Sequence, residues 1–352
     1  MNTSNLVKGK KILLIGGAGF IGHHLALAMN AEGADVTIAD SLSINSVLTL
    51  LTEKNTRTDT DLYRYFLAER FNLLRNARIP VLVGDFCDRY YAAKILSENY
   101  DTVYLLAAVA HASRSNTEPV VAMENSLLPL HNVASELCMR PDTRLVFLSS
   151  STVYGHFKSD TVDENTECNP FGMYAVLKHV GERILSELAC HSALNHSVVR
   201  PSALYGERCI SRRVSQIFAE NAIAERPLIF GGDRDERLDF TYINDLVQGL
   251  ILAGLHDNAK GEIFNITYGD AQPVLTLVEI LREYFPSLNF ELKERNQATP
   301  VRGTLLNKKA RTMLGFSPAY DLNTGYRKYV EWYLERKDIL KFDRAVESVE
   351  NE

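Results

Sequence analysis

Tyr174 and Lys178 stand four residues apart in the stretch MYAVLKH. On a helix that spacing puts both side chains on one face, one turn apart. A cation beside a phenol favours the phenolate, so the pair has the makings of a proton-abstracting base, although the same spacing also fits a solvated helix face. Upstream, the run RLVFLSSSTVYG ends an apolar strand in Ser149, Ser150, Ser151 and Thr152. Parallel α/β sheets gather ligands at the carboxyl ends of their strands. A hydroxyl, a phenol and an ammonium held together there form the trio an alcohol oxidation needs.

A second cluster, IGGAGFIG, spaces Gly16, Gly19 and Gly22 as GxxGxxG between the predicted strand KKILLIG and the helical pattern FIGHHLALAMNAEG, which opens at Phe20 and Ile21. Glycine there serves a tight turn, close backbone approach to a pyrophosphate, and tight helix packing. The helix N-terminus adds its positive end. Asp40 closes the next strand, DVTIAD, where an acid accepts from ribose hydroxyls and repels a 2′-phosphate. The pair therefore points to NAD rather than NADP. Asp85, before Phe86 in VGDF, either meets the adenine amino group or caps the following turn.

The elements that must hold these residues alternate. Strands at KKILLIG, DVTIAD, IPVLVGD, DTVYLLAAVA, TRLVFLSSS and HSVVRPSALYG are separated by helical patterns. That alternation predicts an α/β fold, a doubly wound parallel Rossmann sheet. The segment DLYRYFLAERFNLLRNARIP reads as one amphipathic helix whose arginines and acids form a solvated face. From Gly206 the alternation loosens into a smaller mixed α/β carboxy-terminal substrate lobe. The expected organisation is 1–205 for dinucleotide binding and catalysis, 206–340 mainly for substrate and partly interleaved with the first, and 341–352 as a frayed acidic tail.

Composition sets the outer bounds. The 352 residues are 46% apolar and 23% charged, an ordinary globular profile, and the net charge of −6 gives no field that would attract nucleic acid or an anionic membrane. Cys87, Cys138, Cys168, Cys190 and Cys209 are odd in number and lack a CxxC pair, so reduced, mostly buried thiols in a cytoplasmic protein are expected. The amino terminus has no apolar stretch of signal-peptide length, and no run reaches the length of a membrane span. The histidines show no metal-ligand spacing, so no metal is implied. His111, in AAVAH, is either close to the ligand or a satisfied loop residue.

In their order and spacing, GGAGFIG, YLLAAVAH, SSSTVYG, YAVLK, RPSALYG, RLDFTYINDLV and LGFSPAYDLNTGY resemble the extended short-chain dehydrogenases/reductases. The resemblance covers nearly the whole chain and is to the NAD-dependent epimerase/dehydratase branch, which acts on nucleotide sugars. It implies that Tyr174 is the catalytic base/acid, that Lys178 binds the nicotinamide ribose, and that Ser150 hydrogen-bonds the reacting hydroxyl. The cofactor set it implies is Gly16, Gly19, Phe20, Ile21, Gly22, Asp40, Asp85, Phe86, Ala107 and Ala108, together with Tyr174 and Lys178. Asn125 either faces the active-site floor or caps or packs its helix.

For substrate, the resemblance implies Ser151, Thr152, Arg208, Arg213, Arg237 and Arg302, with Arg212 nearby. The family more often has its arginine directly before DF, where this chain has Leu238 after Arg237. Tyr242 and Asp245 are expected to position that segment. Dehydratases of the family place Asp and Glu after the catalytic hydroxyl, where Ser151 and Thr152 stand here, which favours 4-epimerisation of a UDP-hexose or UDP-uronic acid through a 4-keto sugar. A 4,6-dehydratase or a uronic acid decarboxylase is the alternative. A silent NAD-binding regulator would be marked by loss of the tyrosine or lysine. The helices around Asn125 and Tyr174 resemble a family four-helix homodimer interface.

Overall fold

The computed structural model describes residues 3–46, 60–107, 112–295, 300–338, 340 and 349–350. Seven short strands build one parallel sheet: β1 (Lys11–Ile15), β2 (Asp35–Asp40), β3 (Val81–Val83), β4 (Thr102–Leu105), β5 (Arg144–Leu148), β6 (Asn195–Arg200) and β7 (Ile263–Asn265). Their spatial order is β7-β6-β5-β4-β1-β2-β3. The chain reverses direction across the sheet between β1 and β4, which opens a crevice at their carboxyl ends.

Because successive side chains on a strand point to opposite faces, β1 feeds two cores. Ile12 and Leu14 are wholly buried on one side with α1 (Phe20–Ala31), α2 (Thr60–Asn76) and α7 (Ile243–Leu255). Leu13 and Ile15 pack on the other with α3 (Arg89–Leu96), α4 (Pro119–Leu137) and α5 (Met173–His191). Burial on both faces explains why the strands read as continuous apolar runs rather than as alternating ones.

Two elements cross the expected boundary at 205/206. β7 extends the main sheet by pairing with β6, and α7 packs against it, so both return from the second part of the chain to the first. The remainder of that part comprises α6 (Val214–Ile223), α8 (Leu275–Tyr284), α9 (Lys308–Leu314), α10 (Leu322–Leu334) and short strand pairs. Leu204–Tyr205 pairs with Thr241–Tyr242, and Thr304–Leu305 with Thr161–Val162, which ties the late chain to the catalytic half. Within the expected frayed tail, Val349–Glu350 instead pairs with Leu228–Gly231. The five cysteines are free, but only Cys209 is buried and Cys190 is exposed, short of the mostly buried set expected.

Candidate active site

β1 ends at Ile15, and Gly16 follows with φ +79°, a left-handed turn that a side chain adopts at a cost. A Cβ there would stand 2.7 Å from the Ala107 backbone nitrogen after β4, so the two loops at the crevice touch because residue 16 is glycine. A Cβ on Gly22 would meet Gly17 Cα at 2.5 Å, which lets α1 lie directly on the loop. α1 begins after Gly19 with no side chain capping it and no acid in its first turn, leaving its amino end suited to a phosphate. Phe20 and Ile21 line the cavity beside it.

Asp40 closes the cradle. Its carboxylate accepts from the Ala18 amide at 3.0 Å and the Leu42 amide at 2.8 Å, and burial raises its pKa against those bonds. A glycine floor that a Cβ would fill, an open helix end and a held carboxylate together fit a dinucleotide. Gly16, Gly19, Gly22, Asp40, Asp85, Phe86 and Ala107 all face one cavity of about 400 Å³. Asp85 also accepts from the Cys87 amide at 2.8 Å, so it caps its turn while lining the site. Ala108 and His111 lie outside the described residues.

The same cavity receives Ser150, Ser151, Thr152, Tyr174, Lys178 and Asn125. Tyr174 sits in the first turn of α5, whose start is held by Asn116 accepting from the Met173 amide at 2.8 Å. Lys178 Nζ lies 5.8 Å from the Tyr174 ring centroid and donates to the Leu148 carbonyl at 2.6 Å. Burial lowers the Lys178 pKa to about 8, with the Glu182 carboxylate acting in the opposite sense. Ser150 caps the turn Ser151–Tyr154, accepting from the Thr152 amide at 3.2 Å and the Thr152 hydroxyl at 3.0 Å. Asn125 donates back to the Val121 carbonyl on its own helix while reaching the cavity wall.

The arginines divide. Arg213 and Arg302 line the cavity, and among the described residues neither guanidinium is in a hydrogen bond or salt bridge, Arg213 using only its backbone carbonyl to accept from the Ile217 amide. Burial and then Arg213 lower the Arg302 pKa to about 10. Arg212 also faces the cavity while donating to the Tyr63 hydroxyl at 2.6 Å. Arg208 does not belong with them. Its backbone turns left-handed at φ +61°, and its side chain leaves the cavity for His23 Nε2 at 3.0 Å and the Trp332 ring. Arg237 is also misplaced as a substrate ligand. It donates to the Ala271 carbonyl at 3.1 Å and 2.6 Å, while Leu238 and Phe240, on the alternate side of that extended segment, face the cavity.

A family model described as NAD dependent epimerase/dehydratase matches residues 12–267. The chain belongs to that family. Among its relatives, a putative UDP-glucose 4-epimerase of Methanocaldococcus jannaschii is 27% identical, covering 91% of this chain and 97% of that protein. UDP-glucuronate 4-epimerase 1 of Arabidopsis thaliana is 29% identical, covering 93% and 77% respectively. The solved structure of UDP-glucuronic acid 4-epimerase from Bacillus cereus, in complex with UDP-glucuronic acid and NAD, superposes with a TM-score of 0.79 at 24% identity over 92% of this chain and 99% of that one.

In this member of the epimerase/dehydratase family, buried polar contacts brace the elements that carry the site. Glu182, one turn beyond Lys178, accepts from the Ser149 hydroxyl and from Arg200 at 2.9 Å and 2.5 Å. Arg200 donates further to Tyr154 Oη at 2.9 Å, which donates to Asn265 at 2.8 Å on β7. Cys168, His179 and Glu182 are grouped closely enough for a cation, but Glu182 already carries a guanidinium. The i, i+4, i+8 series Tyr174–Lys178–Glu182 was the sequence signal for this network. Tyr242 donates to Glu207, and Asp245 accepts from the Ala319 and Tyr320 amides, fastening the LGFSPAY segment to α7.

Proposed function

We propose that this chain is an NAD-dependent nucleotide-sugar epimerase that inverts C4 of a UDP-hexose or UDP-uronic acid. One observation carries the reading: Ser150, Tyr174 and Lys178 converge on the cavity that also holds the glycine loop and Asp40, and the positions after Ser150 are hydroxyls. Tyr174 takes the proton from the sugar hydroxyl at C4, and Ser150 donates to the oxygen as it becomes a ketone. Bound NAD supplies reversible two-electron oxidation at that carbon. Lys178, held by the Leu148 carbonyl, keeps positive charge beside the phenol. Tyr174 returns its proton once the keto sugar has turned its other face, so no cofactor is consumed.

Arg213 and Arg302 are the donors for the diphosphate, since a guanidinium fork matches phosphate oxygens, both line the cavity, and among the described residues neither guanidinium is in a hydrogen bond or salt bridge. The same pair suits a carboxylate, which supports a uronic acid decarboxylase as the second reading, because a 4-keto uronate loses carbon dioxide readily. Proton NMR of the purified protein with UDP-hexoses and UDP-uronic acids separates them. A C4 isomer is expected; a pentose or deoxy-keto product would replace the reading, and an unchanged panel would leave the silent regulator.

The reading includes a cytoplasmic homodimer. Val120, Met123 and Leu128 of α4 and Val176 of α5 are exposed apolar side chains on two mutually packed helices, an arrangement that supports pairing with a second copy as a four-helix bundle. No helix among the described residues is long and apolar enough to cross a membrane.

A further inference from the structure

Arg70 lies in the middle of α2, on the helix whose charges read as a solvated face, yet it is fully buried. It is also part of the cavity wall. Among the described residues no carboxylate lies within ion-pair distance of it. Its contacts are all with neutral oxygens. Nε and Nη2 donate to the Arg208 carbonyl at 3.1 Å and 2.5 Å, and Nη1 donates to Asn45 Oδ1 at 3.2 Å and, at 3.5 Å, to the Ala18 carbonyl. A guanidinium has five N–H groups, so one hydrogen on Nη2 is left over.

Burial lowers the Arg70 pKa to about 10, with Cys209 and the Asp40 carboxylate opposing it and Arg208 adding to it, so the group is still charged at neutral pH. A buried charge whose hydrogen bonds all go to dipoles, and on which the Asp40 carboxylate acts only from beyond ion-pair distance, is costly unless a nearer counter-ion completes it. Its position identifies the counter-ion. Ala18 belongs to the glycine loop, over which a diphosphate lies, and Asn45 donates to Asp40 at 3.4 Å, the acid suited to the adenosine ribose. Arg70 therefore spans the two loops that would flank the diphosphate at the adenosine end.

We propose that Arg70 is the ionic anchor of the bound dinucleotide, donating to its diphosphate from below the glycine loop. It also fastens the Arg208 turn, so the segment carrying Arg212 and Arg213 is held against the cofactor site through the same guanidinium. The proposal rests on the dinucleotide reading of the cavity.

Equilibrium dialysis of the full-length chain against NAD, ADP-ribose and adenosine tests it, with Arg70→Gln and Arg70→Lys compared to the parent. Loss of a charge-assisted bond weakens binding about ten- to a hundredfold. That loss is expected for NAD and ADP-ribose in Arg70→Gln, with adenosine changed by less than about twofold and the salt dependence of ADP-ribose binding reduced. Equal losses for ADP-ribose and adenosine would assign Arg70 a structural role and overturn the proposal, as would no loss for either. If Arg70→Gln does not fold by circular dichroism, Arg70→Lys decides: a selective loss for ADP-ribose supports the anchor, and an unchanged ratio overturns it. A parent protein that binds neither NAD nor ADP-ribose would remove the dinucleotide reading itself, an outcome distinct from failure of Arg70 alone.

Discussion

At the scale of residues, the chemistry assigned to Tyr174 depends on a proton that only its phenol can carry. Tyr174→Phe is expected to lower turnover by about 10²–10⁴-fold while bound NAD, measured after extraction, stays at the parental level. Near-normal turnover would move the base elsewhere. Lys178 makes a prediction about pH. Its ammonium is charged at pH 7 and loses its proton as pH rises through about 8, so kcat/KM should fall along a limb above that value. An arginine at this position stays charged throughout the accessible range. Lys178→Arg should be slower, with that limb displaced out of range, and an unmoved limb would show that another group titrates. The juxtaposition of Tyr174 and Lys178 was legible in the sequence because i, i+4 spacing survives into any helix. Arg208 and Arg237 were not so legible, since a left-handed φ at one and strand alternation at the other decide where the guanidinium points.

At the scale of elements, β5, α5, β6 and β7 meet in one buried ion pair. Glu182 on α5 holds Arg200 on β6 and receives Ser149 from the end of β5, and Arg200 reaches β7 through Tyr154 and Asn265. The turn bearing Ser150 is therefore set by a charge pair behind it. Removing one partner of such a pair strands the other charge, at about 3–5 kcal/mol. Glu182→Gln should lose stability of that order in urea unfolding, and a loss below about 1 kcal/mol would show that water reaches Arg200 and replaces the carboxylate. The strands and helices themselves were readable from composition and period. What period cannot supply is the identity of a buried charge: Arg70 occupies a helix with a polar-looking pattern, and its burial follows from the Arg208 turn and the Asn45 loop folding over it, both remote in sequence.

For the whole molecule, the doubly wound sheet was foreseeable, while the return of β7 and α7 to it was less so, because a three-residue strand leaves little pattern and its place is fixed by pairing with β6. The consequence is that the two parts of the chain share one core, so the cavity between them is held by continuous packing rather than by a hinge at 205/206. The opposite face of the sheet ends in α4 and α5, where Val120 is 61% exposed, Met123 48% and Leu128 43%. These three fall on one side of α4, and on a lone chain they would leave apolar area in water that a second copy can cover. A two-fold contact brings each patch against its own equivalent, so one substitution places two like charges in the interface. Met123→Lys combined with Val120→Lys should convert a dimer of about twice the chain mass to monomer in light scattering after size exclusion, with far-UV circular dichroism unchanged. Because α4 also carries Asn125 and Pro129 into the cavity wall, the monomer should show a raised KM as that helix loses its support. A parent protein that is already monomeric at micromolar concentration would exclude this interface, and the apolar face of α4 would then need a different partner.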